Sequence, residues 1–223
     1  MLALLHTSHA HVPVFDALRD EDHQGLELRH FVDEELLDRA RREGADSVTD
    51  DVRAALHRAV GEGARAVLCT CSSIGGVAEA AAVEAGVPVL RVDRPMAAAA
   101  VAAGPRVVVL ATVESTFGPT VTLIEEESSR AGRPVEVRTR LVEAAWPYFE
   151  AGDTEGYARR VAATADEVTD ADAIVLAQGS MAPAEHLATT SIPVLSSPRQ
   201  GLAVGAAAHA GQTHLVARID ARE

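Results

Sequence analysis

The feature that most limits how this chain can fold is that it is written twice. Four short apolar runs, "LALLHT" from Leu2, "LELR" from Leu26, "AVLCTCSSI" from Ala66 and "VPVL" from Val87, return in the same order as "VVVLAT" from Val107, "VEVR" from Val135, "AIVLAQGSM" from Ala173 and "IPVL" from Ile192. Runs of this length that are apolar throughout suit strands buried on both faces of a parallel sheet, and helical segments lie between them. In "VTDDVRAALHRAV", Val52, Ala55, Leu56, Ala59 and Val60 fall on one helical stripe; in "DTEGYARRVAATADEV", Tyr157, Val161 and Val168 do the same, with Asp153 placed to cap the start. Eight βα units in two matching sets predict an α/β fold of two similar βα-rich lobes, each with a parallel sheet, whose strand ends border an interlobe cleft. The first lobe is expected to comprise residues 1–103 with a C-terminal return over 198–223, and the second residues 104–197. A single doubly wound domain is the alternative.

Composition agrees with layered packing. The 223 residues can bury a core without disulfides or metal, and 48% hydrophobic but only 3% aromatic residues suits close α/β layers. A formal net charge of −13 opposes nucleic acid and anionic membranes as partners, yet leaves room for a small anion held by local helix ends. The start "MLALLHTSHA" has no basic leader, and no run reaches 18 uninterrupted apolar residues, so a cytoplasmic location is expected. Neither a GxGxxG nor a GxxxxGK pattern occurs, and no bound cofactor is expected.

Both cysteines lie in "LCTCSSIGG". Counting through the repeat sets Cys71 opposite Gln178, Ser72 opposite Gly179, Ser73 opposite Ser180, and Thr7 opposite Thr112. Cys71 closes an apolar run and is followed by hydroxyls and a glycine pair, a place where backbone N–H groups can receive a carboxylate and favour a thiolate. Lowering a thiol pKa from about 8.5 to about 7 corresponds to roughly 2 kcal/mol. The plain alternative is a small buried hydrophobe. Cys69, two residues earlier on the same strand face, is read as core. Thr7, Ser72, Ser73, Thr112 and Gln178 are the candidate binding shell. His6, whose free pKa lies near neutrality, is the candidate second proton handler, or else a satisfied histidine at a strand end. His6, His9 and His11 lack a zinc-like spacing, and no metal is assigned.

Taken together, "CSS" at Cys71–Ser73, "VVLAT" ending at Thr112, "IVLAQGSMA" at Ile174–Ala182, "VPVLRVDRPMA" and "PVLSSPRQG" resemble the motifs of the aspartate/glutamate/hydantoin racemase superfamily over nearly the whole chain. That resemblance implies two lobes and cofactor-independent inversion of a carbon acid beside a carboxylate, by one cysteine acting as acid and another as base. The same fold also hosts maleate cis-trans isomerisation and arylmalonate decarboxylation. Here Gln178 stands where such a racemase carries its second cysteine, and an amide has no readily transferred proton. The resulting expectation is a racemase or isomerase of a small carboxylate or related carbonyl compound. A decarboxylase of an activated dicarboxylate and a non-enzymatic small-carboxylate-binding protein are the alternatives. The expected partner is a small anionic or carbonyl-containing substrate, with homo-oligomerisation as a family-level expectation.

Overall fold

A computed structural model describes residues 1–211. The chain divides into two compact units, Met1–Val92 together with residues 198–211, and Asp93–Ser197; the part of the expected C-terminal return over 212–223 lies outside the described residues. The first contains β1 (Leu2–His6), α1 (His11–Asp22), β2 (Leu28–Val32), α2 (Glu34–Glu43), α3 (Thr49–Gly61), β3 (Ala66–Cys69), α4 (Ser72–Ala80), α5 (Ala82–Ala85) and β4 (Val89–Arg91). The second contains α6 (Arg94–Ala103), β5 (Arg106–Ala111), α7 (Phe117–Ala131), β6 (Glu136–Leu141), α8 (Trp146–Glu150), α9 (Thr154–Asp166), β7 (Ala173–Leu176) and β8 (Val194–Leu195). The last described helix, α10 (Pro198–His209), belongs to the first unit. Among the described residues, no helix is long and apolar enough to cross a membrane.

All eight apolar runs are strands, in two parallel sheets of order β2-β1-β3-β4 and β6-β5-β7-β8. The duplication extends to single backbone bonds. Arg65 N–H donates to Met1 O at 3.1 Å as Asp172 N–H donates to Arg106 O at 2.7 Å, and Val67 N–H donates to Pro88 O at 2.9 Å as Ile174 N–H donates to Pro193 O at 2.8 Å. At the other end of the strands, Thr70 N–H donates to Leu5 O at 2.9 Å and Ala177 N–H to Leu110 O at 3.0 Å. Cys71 and Gln178 are each the next residue along. The central strands β1, β3 and β7 are buried at every position, whereas the outer strands β2 and β6 have exposed residues, as parallel sheets with helices on both faces require.

In the first unit, Ala3, Leu5, Val67 and Cys69 face a layer containing Leu36, Val52, Leu56 and Ile74, while Leu2, Leu4 and Leu68 face Phe15, Leu202 and Ala208. In the second, Val108, Leu110, Ile174 and Leu176 pack on Tyr157, Val161 and Met181, while Val107, Val109 and Val175 pack on Met96, Ala100, Leu123 and Ile124. One sequence boundary needs correction. Helix α6, assigned by sequence to the first lobe, lies in the second unit, so the division falls between Val92 and Asp93 rather than after residue 103. Its buried stripe Met96, Ala97, Ala100 and Val101 covers the face of β5 and β7 that would otherwise be bare. The helix after β8 correspondingly covers the first sheet, so each sheet is finished by the helix that follows the other one. Helix α10 sits so close to β4 that a Cβ on Gly201 would lie 2.5 Å from the Val92 carbonyl oxygen, a backbone atom with little freedom to yield.

On the α1 face of the first sheet a row of polar side chains runs from the buried Thr70 and His6 to the half-buried His30 and Asp16. His6 Nδ1 lies 2.7 Å from Thr70 Oγ1, His6 Nε2 lies 2.8 Å from His30 Nδ1, and His30 Nε2 lies 3.3 Å from Asp16 Oδ1. Asp16, on α1, can serve as the acceptor at one end. His30 then donates to it through Nε2, His6 donates to His30, and Thr70 donates its hydroxyl proton to His6, with Leu5 O at 3.2 Å as a second acceptor. In this arrangement the His6 imidazole is neutral. Burial first, then the neighbouring His30, His11 and His9, push the His6 pKa from 6.5 down to about 3. Burial lowers that of His11 too.

Two outcomes are expected. Gly201→Ala should cost on the order of 1–3 kcal/mol in denaturant unfolding, because the added methyl forces α10 off Val92. For His6, a depressed folded-state pKa means that the unfolded chain takes up the proton first; stability is complete above about pH 6.5 and falls as pH drops toward about 3. Over that window this histidine should contribute a slope of about 1.4 kcal/mol per pH unit. Urea unfolding of His6→Asn should show a lower stability at neutral pH but a flatter acid limb. Parallel limbs for the two proteins would show that His6 is not the group responsible.

Candidate functional site

In the first unit the candidate residues gather where β3 passes into α4. Cys71 is the N-cap residue of α4, in extended conformation at φ −111° and ψ 118°, and no side chain caps the helix. The opening N–H groups of a helix have no partner within it, so this turn presents donors beside the thiol. Cys71 is 7% exposed at the rim of its core layer, while Cys69 is fully buried, its Sγ 3.7 Å from the Cys71 carbonyl oxygen. Neither cysteine forms a disulfide, and the two differ in depth rather than in direction. Ser72 and Ser73 begin α4 and are half-buried; Thr7 follows β1 and is buried.

The glycine pair has a different reason from the one its sequence suggests. Gly75 and Gly76 are not a turn but lie inside α4. A Cβ on Gly75 would stand 3.1 Å from both Cβ and Nε of Arg91, so the bare backbone makes room for that side chain. Arg91 is buried on β4, paired in register with Cys69, and its Nη2 approaches Ser72 O at 3.5 Å. A buried guanidinium thus underlies the first turn of α4. Sequence reasoning did not single it out. The signal that could have found it was a basic residue alternating with apolar ones, in "VLRV", on the strand that follows the helix with the glycine pair.

His6 is not in the Cys71 layer. It continues the Leu2 and Leu4 row on the opposite face, its ring 5.6 Å from that of Phe15 and 6.2 Å from that of His11. Its link to the cysteine strand is the Thr70 hydroxyl.

In the second unit, Gln178 precedes a 3-10 helix over Gly179–His186, as Cys71 precedes α4. Thr112 N–H donates to Gln178 Oε1 at 2.7 Å, and Thr112 Oγ1 donates to the same oxygen at 3.0 Å. Thr112 Oγ1 is also 3.1 Å from the Tyr157 hydroxyl, which in turn is 3.0 Å from Ser180 Oγ. Thr112 is buried, and its donors are spent on the glutamine. Tyr157 is held by α9, whose first turn is capped by Asp153 accepting from Gly156 N–H at 2.8 Å. The ring belongs to the core, as its place on the helical stripe suggests, but its hydroxyl is part of this polar network, which the stripe does not reveal. Burial pushes the phenol pKa upward, and the ring keeps its proton. Among the described residues, no group of three or more His, Cys, Asp or Glu side chains is placed to hold a metal ion.

Comparison with known proteins places this arrangement. Among solved structures, an aspartate racemase from Picrophilus torridus aligns over 95% of this chain and 93% of its own, with a TM-score of 0.67 and 14% identity. A glutamate racemase from Francisella tularensis, in complex with D-glutamate, aligns over 98% of this chain and 81% of its own, with a TM-score of 0.69 and 11% identity. An arylmalonate decarboxylase aligns over 93% and 91%, with a TM-score of 0.57 and 18% identity. At such identities the likeness is one of fold. No curated protein sequence matches significantly. The family model of Asp/Glu/hydantoin racemases, however, matches residues 7–205, which includes β3, the Cys71 turn, Thr112 and Gln178, and by that match the chain belongs to the Asp/Glu/hydantoin racemase family.

Proposed function

We propose that the protein is a cofactor-independent isomerase of a small carboxylate or related carbonyl compound, working through the single thiol of Cys71. The observation that carries this reading is the unequal filling of two equivalent places. One strand-to-helix junction holds a cysteine at the rim of the core, and the other holds a glutamine fixed by Thr112. Two-base racemisation needs a transferable proton on each face of the reacting carbon, and an amide does not supply one. One thiolate suffices for cis-trans isomerisation of an activated alkene. Sulfur adds to one alkene carbon, the π electrons move onto the conjugated carboxylate, the former double bond rotates, and expulsion of the thiolate restores the alkene with the opposite geometry. No proton is taken from carbon.

In this reading Thr7, Ser72, Ser73 and the first N–H groups of α4 receive a substrate carboxylate; in the second unit, Gln178, with Thr112 as its support, is a candidate donor. An imidazole titrating at about 3 is a weak base at neutral pH, so His6 acts as a positioning residue for the end of β3, through Thr70. A second reading, decarboxylation of an activated dicarboxylate, is favoured by the same count of thiols: loss of CO₂ leaves a carbanion that a single Cys71 thiol can protonate.

The test is a panel of maleate, malonates, aspartate, glutamate and hydantoins followed by proton NMR in D₂O. Isomerisation by thiolate addition gives the trans product without deuterium at carbon, racemisation exchanges the α-proton, and decarboxylation releases CO₂. Cys71→Ser should lower turnover by about a thousandfold or more, while Cys69→Ser should chiefly cost about 1 kcal/mol of stability. Iodoacetamide should modify Cys71 at least about tenfold faster than Cys69, with protection by a bound carboxylate. Preferential labelling of Cys69 together with full activity of Cys71→Ser would sink the assignment.

A further inference from the structure

The hydrogen bonds around Gln178 permit one orientation of its amide. A backbone N–H can only donate, so the Gln178 atom 2.7 Å from Thr112 N is the oxygen, not the nitrogen. Thr112 Oγ1 gives its only proton to that same oxygen. It must then accept from Tyr157, and the Tyr157 oxygen accepts from Ser180. Donation therefore runs in one direction, from Ser180 to Tyr157 to Thr112 to Gln178. Both lone pairs of Oε1 are filled, while Nε2 keeps two hydrogens that no protein atom accepts among the described residues. Gln178 is half-buried, not fully enclosed.

We propose that Gln178 is a fixed double donor for an anionic oxygen, the carboxylate or enolate of a small acid, and that Thr112 and Tyr157 are the positioning residues that hold it so. The assignment rests on the small-carboxylate reading above and adds a direction to it. Because the oxygen end is occupied, this position cannot accept from an ammonium or amine N–H, so it selects an oxygen of the substrate and rejects its nitrogen. A glutamine free to flip could serve either group. The hydroxyl of Tyr157 matters because without it the buried Thr112 oxygen loses its donor and its rotor is no longer confined to Gln178.

The side-chain amide offers a readout independent of turnover. In ¹⁵N-labelled protein, the Gln178 NH₂ pair is assigned by its loss in Gln178→Glu, and the probes are malonate and methylammonium. The pair should shift on titration with malonate and stay unmoved by methylammonium. Gln178→Glu places a second carboxylate oxygen where the donors were and should weaken malonate binding at least tenfold. Tyr157→Phe keeps the ring, and should broaden or shift the free Gln178 pair and weaken malonate about three- to tenfold. A pair that ignores malonate up to tens of millimolar, or that is unchanged in Tyr157→Phe, overturns the proposal. Alkylation of Cys71 is followed in the same samples. Malonate protection of Cys71 with an unmoved Gln178 pair refutes the donor and leaves the Cys71 reading, whereas a shifted pair with unprotected Cys71 upholds the donor and removes the thiol from the function.

Discussion

Two backbone hydrogen bonds fix where each sheet stops and chemistry begins. Thr70 N–H to Leu5 O, and Ala177 N–H to Leu110 O, are the last rungs tying the inner strands to the central ones. Up to those rungs every side chain is committed to a layer; one residue later the chain is released into the approach to a helix. That release puts Cys71 and Gln178 immediately before helices, instead of within a strand ladder. The parallel sheets behind these junctions need cover on both faces, and the chain provides it with small side chains. Ala97 and Ala100 on α6, and Gly201, Gly205 and Ala208 on α10, let helices approach the strands closely where larger residues would hold them away.

The inner strands were legible because burial on both faces leaves little but apolar residues to write, and the order of the runs exposed the duplication and with it the outer strands. The stripe Val52, Leu56 and Ala59 was legible for the same reason, as was the Asp153 cap. What stayed hidden depends on distant pairings. His6 looked like a free base at a strand end; its depressed pKa comes first from enclosure that no local pattern encodes, and then from His30, His11 and His9, while Thr70, 64 residues away, is its hydrogen-bond partner. Tyr157 read as core because periodicity reports the ring and is silent about the hydroxyl. The glycine pair at 75 and 76 resembled a turn, since sequence shows that a side chain is missing and not which neighbour excludes it. Helix α6 was misplaced because an alanine-rich stripe fits either sheet, and only the completed layer decides between them.

The two halves also show how far one backbone plan can carry different chemistry. Each has a hydroxyl-bearing residue after its first strand and a functional side chain after its third. The first half surrounds its junction with a thiol, a buried guanidinium and a histidine row; the second uses an amide, a phenol and hydroxyls, none of which changes charge near neutrality. Titration and nucleophilicity are therefore concentrated in one half, and directional donation in the other. Family membership describes the shared plan and not this division of side chains.

The exchanged helices bear on the order in which the protein can be made. Residues 93–197 form one unbroken unit, while the first unit needs α10, which begins at Pro198. A ribosome delivers the strands of the first sheet earliest but their covering helix last. The face carrying Leu2, Leu4 and Leu68, which Phe15 of α1 covers only in part, must wait for α10 through synthesis of the whole second unit. The nascent chain consequently has its longest exposure to misassociation on that apolar face, and chaperone dependence should track the wait for α10 and not the stability of the finished fold.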